Sequence, residues 1–144
     1  CSSDLYFEKL FATSPSDFNI YKNLFDFRSP HQKRIEFNNI RQKVYQELVK
    51  LYGERCLLNF TICYPKSGFV IDHIVPLSTN KLNKELRQLK AKPGKKVPSQ
   101  SFGSNHFDNL ILACNKCNNN KKHRILSKEE FNEIFRKTNR FNSF

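Results

Sequence analysis

Two short apolar runs that end abruptly in polar chemistry limit what this chain of 144 residues can fold into. Phe69-Val70-Ile71 leads directly into Asp72-His73, and Leu110-Ile111-Leu112-Ala113 leads into Cys114-Asn115-Lys116-Cys117-Asn118. Apolar runs this short, rich in branched residues, read as strands. Each therefore delivers polar side chains at a strand end. Asp72 offers a hard carboxylate suited to a divalent cation, and His73 can take up a proton near neutral pH. The second run continues into a Cys-x-x-Cys knuckle and a polar, basic stretch from Asn118 to Arg124. Strand, long connection, strand and helix would bring Asp72, His73, Asn109 and Asn118 to one place.

The charge of the chain points to the kind of partner. Its formal net charge is +12 and its pI about 9.7, which favours a polyanion. The charge is also localised. Residues 81–124 hold eleven Lys and Arg (Lys81, Lys84, Arg87, Lys90, Lys92, Lys95, Lys96, Lys116, Lys121, Lys122, Arg124) against Glu85 and Asp108, a balance of +9. A solvated basic face is the plain alternative. Overlap with the candidate metal residues favours nucleic acid.

At this length the chain suits one domain with a core, 38% apolar and rich in Phe (14, with no Trp or Met). No run approaches the ~20 apolar residues of a membrane span, so a cytoplasmic protein without membrane contact is expected. Five cysteines, an odd number, argue against a disulfide framework. Cys1 is read as a truncated or processed start, and it leaves a lipid-anchored or extracellular protein open.

Along the chain, residues 4–11 read as a short amphipathic helix, and Phe18, Ile20, Tyr21, Leu24 and Phe25 keep helical spacing after Ser14-Pro15. Ser29-Pro30 opens the longest regular pattern. Ile35, Phe37, Ile40, Val44, Leu48 and Leu51 are its apolar face, Lys33, Arg34, Arg41, Lys43 and Lys50 its opposite basic face, and Gly53 its end. Cys56 to Cys63 is rich in strand formers, and Tyr64 to Gly68 is a turn. A short helix is expected over Lys81 to Lys92, then a polar loop to Asn105. The whole connection from Asp72 to Asn109 is 36 residues with seven positive charges, a length that usually carries function. Ser127 with Glu130 forms a capping box, Leu126 with Phe131 a hydrophobic staple, and a terminal helix follows through Ile134 and Phe135.

An Asp-His pair alone carries little weight, because a core histidine beside a turn aspartate looks the same. Asp72-His73-x-x-Pro76, then Asn109-Leu110, then Cys114-x-x-Cys117-Asn118-x-x-Lys121 is a more specific combination. In that order it resembles the HNH nucleases, the ββα-metal family, over roughly residues 54–124. The resemblance implies an α+β fold with a ββα-metal core. Residues 1–53 would be a helical region packed on that core, 54–126 the core with a basic insertion at 78–105, and 127–144 a C-terminal helix, all in one domain.

The resemblance also implies a metal-dependent endonuclease leaving 5′-phosphate and 3′-hydroxyl ends. His73 would be the general base, Asp72 a ligand for Mg²⁺ or Mn²⁺, and Asn109 the loop-organising residue. Asn118, directly after the second Cys, would be the last ligand, with His123 as the alternative. Lys121, Lys122 and Arg124 would grip DNA phosphates, joined by the insertion's Lys81, Lys84, Arg87, Lys90, Lys92, Lys95 and Lys96. Many family members clamp a structural Zn²⁺ between two Cys-x-x-Cys knuckles. Here Cys114 and Cys117 fit, but six residues rather than two separate Cys56 from Cys63, so Zn²⁺ on the four and four reduced thiols both stay open. The extra helices and the insertion favour a restriction-type role over a mobile-element, phage or toxin nuclease. A palindromic target would call for a homodimer. The competing class is a non-catalytic zinc-knuckle module that binds DNA or RNA.

Overall fold

The computed structural model describes residues 21–60, 63, 68–80, 83–84, 88–122 and 126–140. The expected helix over 4–11, the residues Cys1, Lys81, Arg87, His123 and Arg124, and Phe141 and Phe144 lie outside them. Helix α1 (Pro30–Tyr52) is followed by strand β1 (Phe69–His73) and strand β2 (Ser78–Thr79). Strand β3 (Gln100–Ser101), strand β4 (Leu110–Cys114), helix α2 (Asn115–Lys121) and helix α3 (Lys128–Thr138) complete the order. Short 3-10 turns at Lys22–Leu24 and Phe107–Asn109 precede α1 and β4. The architecture is α+β, and β1, β4 and α2 supply the strand–strand–helix order of a ββα-metal core.

Strands β1 and β4 pair antiparallel, with His73 opposite Leu110 and Phe69 opposite Cys114. Side chains alternate across a strand, so β4 serves two cores. Leu110 and Leu112 pack with Phe37, Val44 and Leu48 of α1. Ile111 and Ala113 pack on the other side with Leu57, Leu126, Phe131 and Ile134. All five β4 residues are buried, as a short strand covered on both faces must be. The α3 capping box forms as the sequence predicts, with both Ser127–Glu130 hydrogen bonds present.

α1 starts at Pro30, whose fixed φ suits a first turn, and ends at Gly53 with φ of +77°. Its inner arc differs from the expected one. Tyr45, Val49 and Tyr52 join Phe37, Val44 and Leu48 against the sheet, which turns the arc away from Ile40 and Leu51 and leaves Ile35 on the back. Those three are exposed at 37%, 61% and 50%. Lys33, expected on the outer basic face, is fully buried. Its Nζ donates to the carbonyls of Asp26 (2.7 Å), Leu77 (2.9 Å) and Gly103 (2.5 Å). An ammonium has three donors and here each has an acceptor, which is what makes a buried lysine tolerable.

Two other expectations fail. Residues 56–60 form no strand. The segment makes one sheet-like bond, Leu57 N–H to Leu112 O at 3.0 Å, and Asn59 turns it with φ of +53°. Residues 88–92 are not helical either: Gln88 has φ of +54°, a left-handed value that a helix cannot include.

The long connection is organised at its base. β2 pairs antiparallel with β3, so the chain between Thr79 and Gln100 is closed into a loop by a two-residue clasp, and Asn83 Nδ2 donates to Pro98 O at 2.8 Å. Gly103 follows the clasp and donates to Pro76 O at 2.7 Å. A Cβ there would fall 1.9 Å from Val75 O and 2.6 Å from Pro76 O. Both are backbone atoms with no rotamer to change. Gly103→Ala is therefore expected to lower the unfolding free energy by about 1–3 kcal/mol, measured as a lower urea midpoint with an unchanged slope.

Candidate active site

β1 and β4 end side by side, and α2 starts from the last β4 residue. Asn109, immediately before β4, is fully buried. Its Oδ1 accepts from Val75 N (2.8 Å), and its Nδ2 donates to Val75 O (3.0 Å) and Ser104 O (2.8 Å). The backbone N–H of Ile74 donates to Asn109 O at 2.8 Å. One side chain thus ties both ends of the long connection together just beyond β1. Arg140 secures the same corner by donating to Asp108 O and Leu110 O, each at 2.9 Å.

Asp72 and His73 point to opposite sides of β1, as neighbours in a strand do. Asp72 faces α2 and is 5% exposed. Its Oδ2 lies 3.3 Å from Lys121 Nζ as an ion pair, yet it accepts no hydrogen bond. Lys121 instead directs Nζ at the His73 carbonyl, 2.8 Å away. Burial raises the Asp72 pKa to about 6, with Lys121 opposing the shift. Lys121 was expected to grip phosphate. It is 1% exposed, is bonded to β1, and lines the inner wall of the cleft rather than its surface.

His73 faces α1. Its ring meets Phe37 edge-on, centroids 4.7 Å apart, and Nε2 lies 2.9 Å from Asn105 Oδ1. Asn105 Nδ2 donates to Lys33 O at 2.8 Å. Burial pushes the His73 pKa down to about 4; the Asn105 bond opposes this and the cations Lys121, Lys33 and Arg41 add to it. The imidazole is neutral at pH 7 and able to accept a proton.

Asp72, His73 and Asn118 line one cleft of about 380 Å³, together with Arg34, Ser78, Asn119 and Lys122. Asn109 does not reach it and acts on the backbone behind. Lys84, Lys90, Lys92, Lys95 and Lys96 are exposed along the clasped loop and do not line the cleft. Two residues of the site carried no signal in the sequence: Arg34, which lines the cleft, and Asn105, which stands behind it against His73. Asn105 lies in a polar loop with no signal of its own. Arg34 belongs to the basic face of α1, and it stands one turn from Phe37. Arg28 and Arg136 are neutralised by carboxylates. Arg34 has no carboxylate partner among the described residues and reaches only Ser78 Oγ, at 3.4 Å.

A second cluster stands at the far end of the sheet. The sulfurs of Cys56, Cys63, Cys114 and Cys117 all lie within 4.8 Å of one another. Cys63 and Cys117 are 3.8 Å apart, close to the ~3.8 Å edge of a tetrahedron with Zn–S bonds of about 2.3 Å. Backbone N–H groups of Asn59 and Cys117 point at Cys56 Sγ and Cys114 Sγ, each at 3.4 Å. Burial raises the pKa of Cys56 and Cys63 as thiols. Four convergent soft donors can hold a metal ion such as zinc. The six-residue spacing of Cys56 and Cys63 does not prevent convergence, because the turn at Asn59 folds the segment back.

The HNH endonuclease family model matches residues 96–124. That stretch contains Asn109, the Cys114–Cys117 knuckle, Asn118 and Lys121; the β1 pair Asp72-His73 lies before it and joins it through the β1–β4 pairing. No curated protein and no solved structure matches the chain. No helix among the described residues is long and apolar enough to cross a membrane.

Proposed function

We propose that this chain, which carries an HNH endonuclease segment and with it a nucleic-acid substrate, is a metal-dependent DNA endonuclease leaving 5′-phosphate and 3′-hydroxyl ends. One observation carries the reading: Asp72, His73 and Asn118 line a single cleft in which Asp72 Oδ2 is buried without a hydrogen bond. The Lys121 ammonium at 3.3 Å offsets part of its burial; a buried carboxylate oxygen with no hydrogen bond is still costly, and a hard cation would relieve the rest. Asp72 and Asn118 supply oxygen donors of the right kind for Mg²⁺ or Mn²⁺.

When bound there, a divalent cation supplies charge stabilisation at the scissile phosphate and its leaving oxygen. The rest belongs to the chain. His73, neutral and held in the cleft wall, accepts the proton of the attacking water through an imidazole nitrogen. Lys121 keeps the Asp72 carboxylate facing α2 and pins the β1 end through the His73 carbonyl. Arg34 on α1 and Lys122 just after α2 flank the cleft, suited to phosphates on either side of the scissile bond. Arg34→Ala is expected to weaken DNA binding about equally across sequences and to reduce the log–log salt slope by about one, read by fluorescence anisotropy of a short duplex.

The reading is tested by supercoiled plasmid cleavage with Mg²⁺, Mn²⁺ or EDTA, comparing the full chain with Asn118→Ala. Metal-dependent cutting lost in the variant supports Asn118 as ligand, and cutting retained moves that role to His123. A gel shift without any cutting, under every ion, would instead make the protein a binding module. We also assign a structural Zn²⁺ to Cys56, Cys63, Cys114 and Cys117. Elemental analysis should find one zinc per chain, absent after Cys117→Ser, and a chelator should lower Tm. The exposed lysines of the clasped loop, beside the cleft's own cations, favour a restriction-type role. Discrete fragments from phage-length DNA would support it, and a smear would not.

A further inference from the structure

We propose that Asn105 is a positioning residue that holds His73 with Nε2 protonated and Nδ1 bare, making Nδ1 the nitrogen that accepts the proton. The chemical consequence rests on the endonuclease reading. The tautomer rests on hydrogen bonding alone.

The two ends of the Asn105 amide are distinguishable by their partners. Nδ2 lies 2.8 Å from Lys33 O, and a carbonyl oxygen can only accept. Turning the amide over would set two oxygens against each other at that distance. The NH₂ group must therefore face Lys33, which leaves Oδ1 facing His73 Nε2 at 2.9 Å. Oδ1 also only accepts, so Nε2 must carry the hydrogen. A neutral imidazole has one N–H, and Nδ1 is left with its lone pair.

The support is stiff in both directions. Lys33, whose carbonyl anchors Asn105, has its own Nζ bonded to three carbonyls, one of them Gly103 O. Ser104, the neighbour of Asn105, gives its carbonyl to Asn109 Nδ2 and its hydroxyl to Asn23 O. Phe37, one turn beyond Lys33, limits rotation of the imidazole edge-on. The base of the β1 pair is thus oriented by α1, which lies wholly before the matched residues 96–124.

The first readout is the imidazole ¹⁵N spectrum of the labelled, metal-free full chain, with the His73 signals identified by their loss in His73→Gln. Wild type should show Nε2–H with bare Nδ1. Asn105→Leu should mix the tautomers. The second readout is cleavage: Asn105→Leu should lower kcat about 10–100-fold, the usual cost of losing such a supporting bond, with KM unchanged. Should Asn105→Leu fail to fold, Asn105→Ala serves in both assays. Nδ1–H in wild type, or Nε2–H persisting in Asn105→Leu, overturns the inference. Nε2–H in a wild type that cuts no DNA would keep the hydrogen-bond assignment and reject the endonuclease reading.

Discussion

His73→Ala should lower the metal-dependent cleavage rate by about 10²–10⁴-fold, the span expected for loss of a general base. The ring also packs on Phe37, so thermal unfolding must accompany the assay to separate chemistry from folding. Duplex binding by the variant should stay near wild type, since the imidazole carries no charge at pH 7. Near-wild-type cutting by a folded His73→Ala protein would remove the base from the mechanism.

The pH profile offers an independent check. His73 titrates near 4 in the folded protein, pushed down by burial, and is competent as a base above that. Asp72 is pushed up to about 6, also by burial, and offers a carboxylate only above it. The acid limb should therefore belong to Asp72. At subsaturating metal, the rate should rise with pH through about 6 and flatten beyond, a unit below the midpoint costing roughly tenfold. Because metal and proton compete for the same carboxylate, more Mg²⁺ should move the limb to lower pH. A limb that ignores metal concentration would contradict the role of Asp72.

Lys33→Ala carries the largest expected loss of stability. The ammonium joins the turn before α1 (Asp26 O), the segment between β1 and β2 (Leu77 O) and the segment after β3 (Gly103 O). Asp26 O and Leu77 O keep a second donor each, from Ser101 and Phe102; Gly103 O would be left in the interior. Cavity and lost hydrogen bonds together suggest a cost of about 3–5 kcal/mol. Lys33→Met retains the stem and should recover part of it, which separates packing from the ammonium's bonds. Urea unfolding of the three proteins measures the difference. A loss for Lys33→Ala no larger than that of an exposed lysine such as Lys50 would show that the three bonds contribute nothing net.

The core of the site was legible because its parts are local. Phe69–His73 and Leu110–Cys114 are apolar runs with polar ends, and Gly53, Pro30 and the Ser127 capping box mark helix limits by residue type alone. Contacts between distant segments were not legible. Lys33 and Arg34 are adjacent basic residues, yet one ends in the interior and the other on the cleft. Only carbonyls 7, 44 and 70 positions away decide this. Asn105 meets His73 across 32 positions, with nothing local to mark it. Lys121 reads like any basic residue of a phosphate-binding helix until the buried Asp72 beside it appears. The expected helix over Lys81 to Lys92 failed beyond residue 87, where its leucine spacing lacked a core to meet: Leu89 is 47% exposed.

The clasp between β2 and β3 also makes the protein modular. The chain between Thr79 and Gln100 leaves and returns at the same pair of backbone positions, while the cleft is fixed by Asn109, Lys33 and Gly103 outside that loop. Doubling the length of such a closed segment costs only about 0.6 kcal/mol. The loop can then lengthen, shorten or be exchanged with little effect on the chemistry beside it. Divergence among descendants of this chain has a natural place to accumulate, and an engineer seeking new target preferences has a ready graft point.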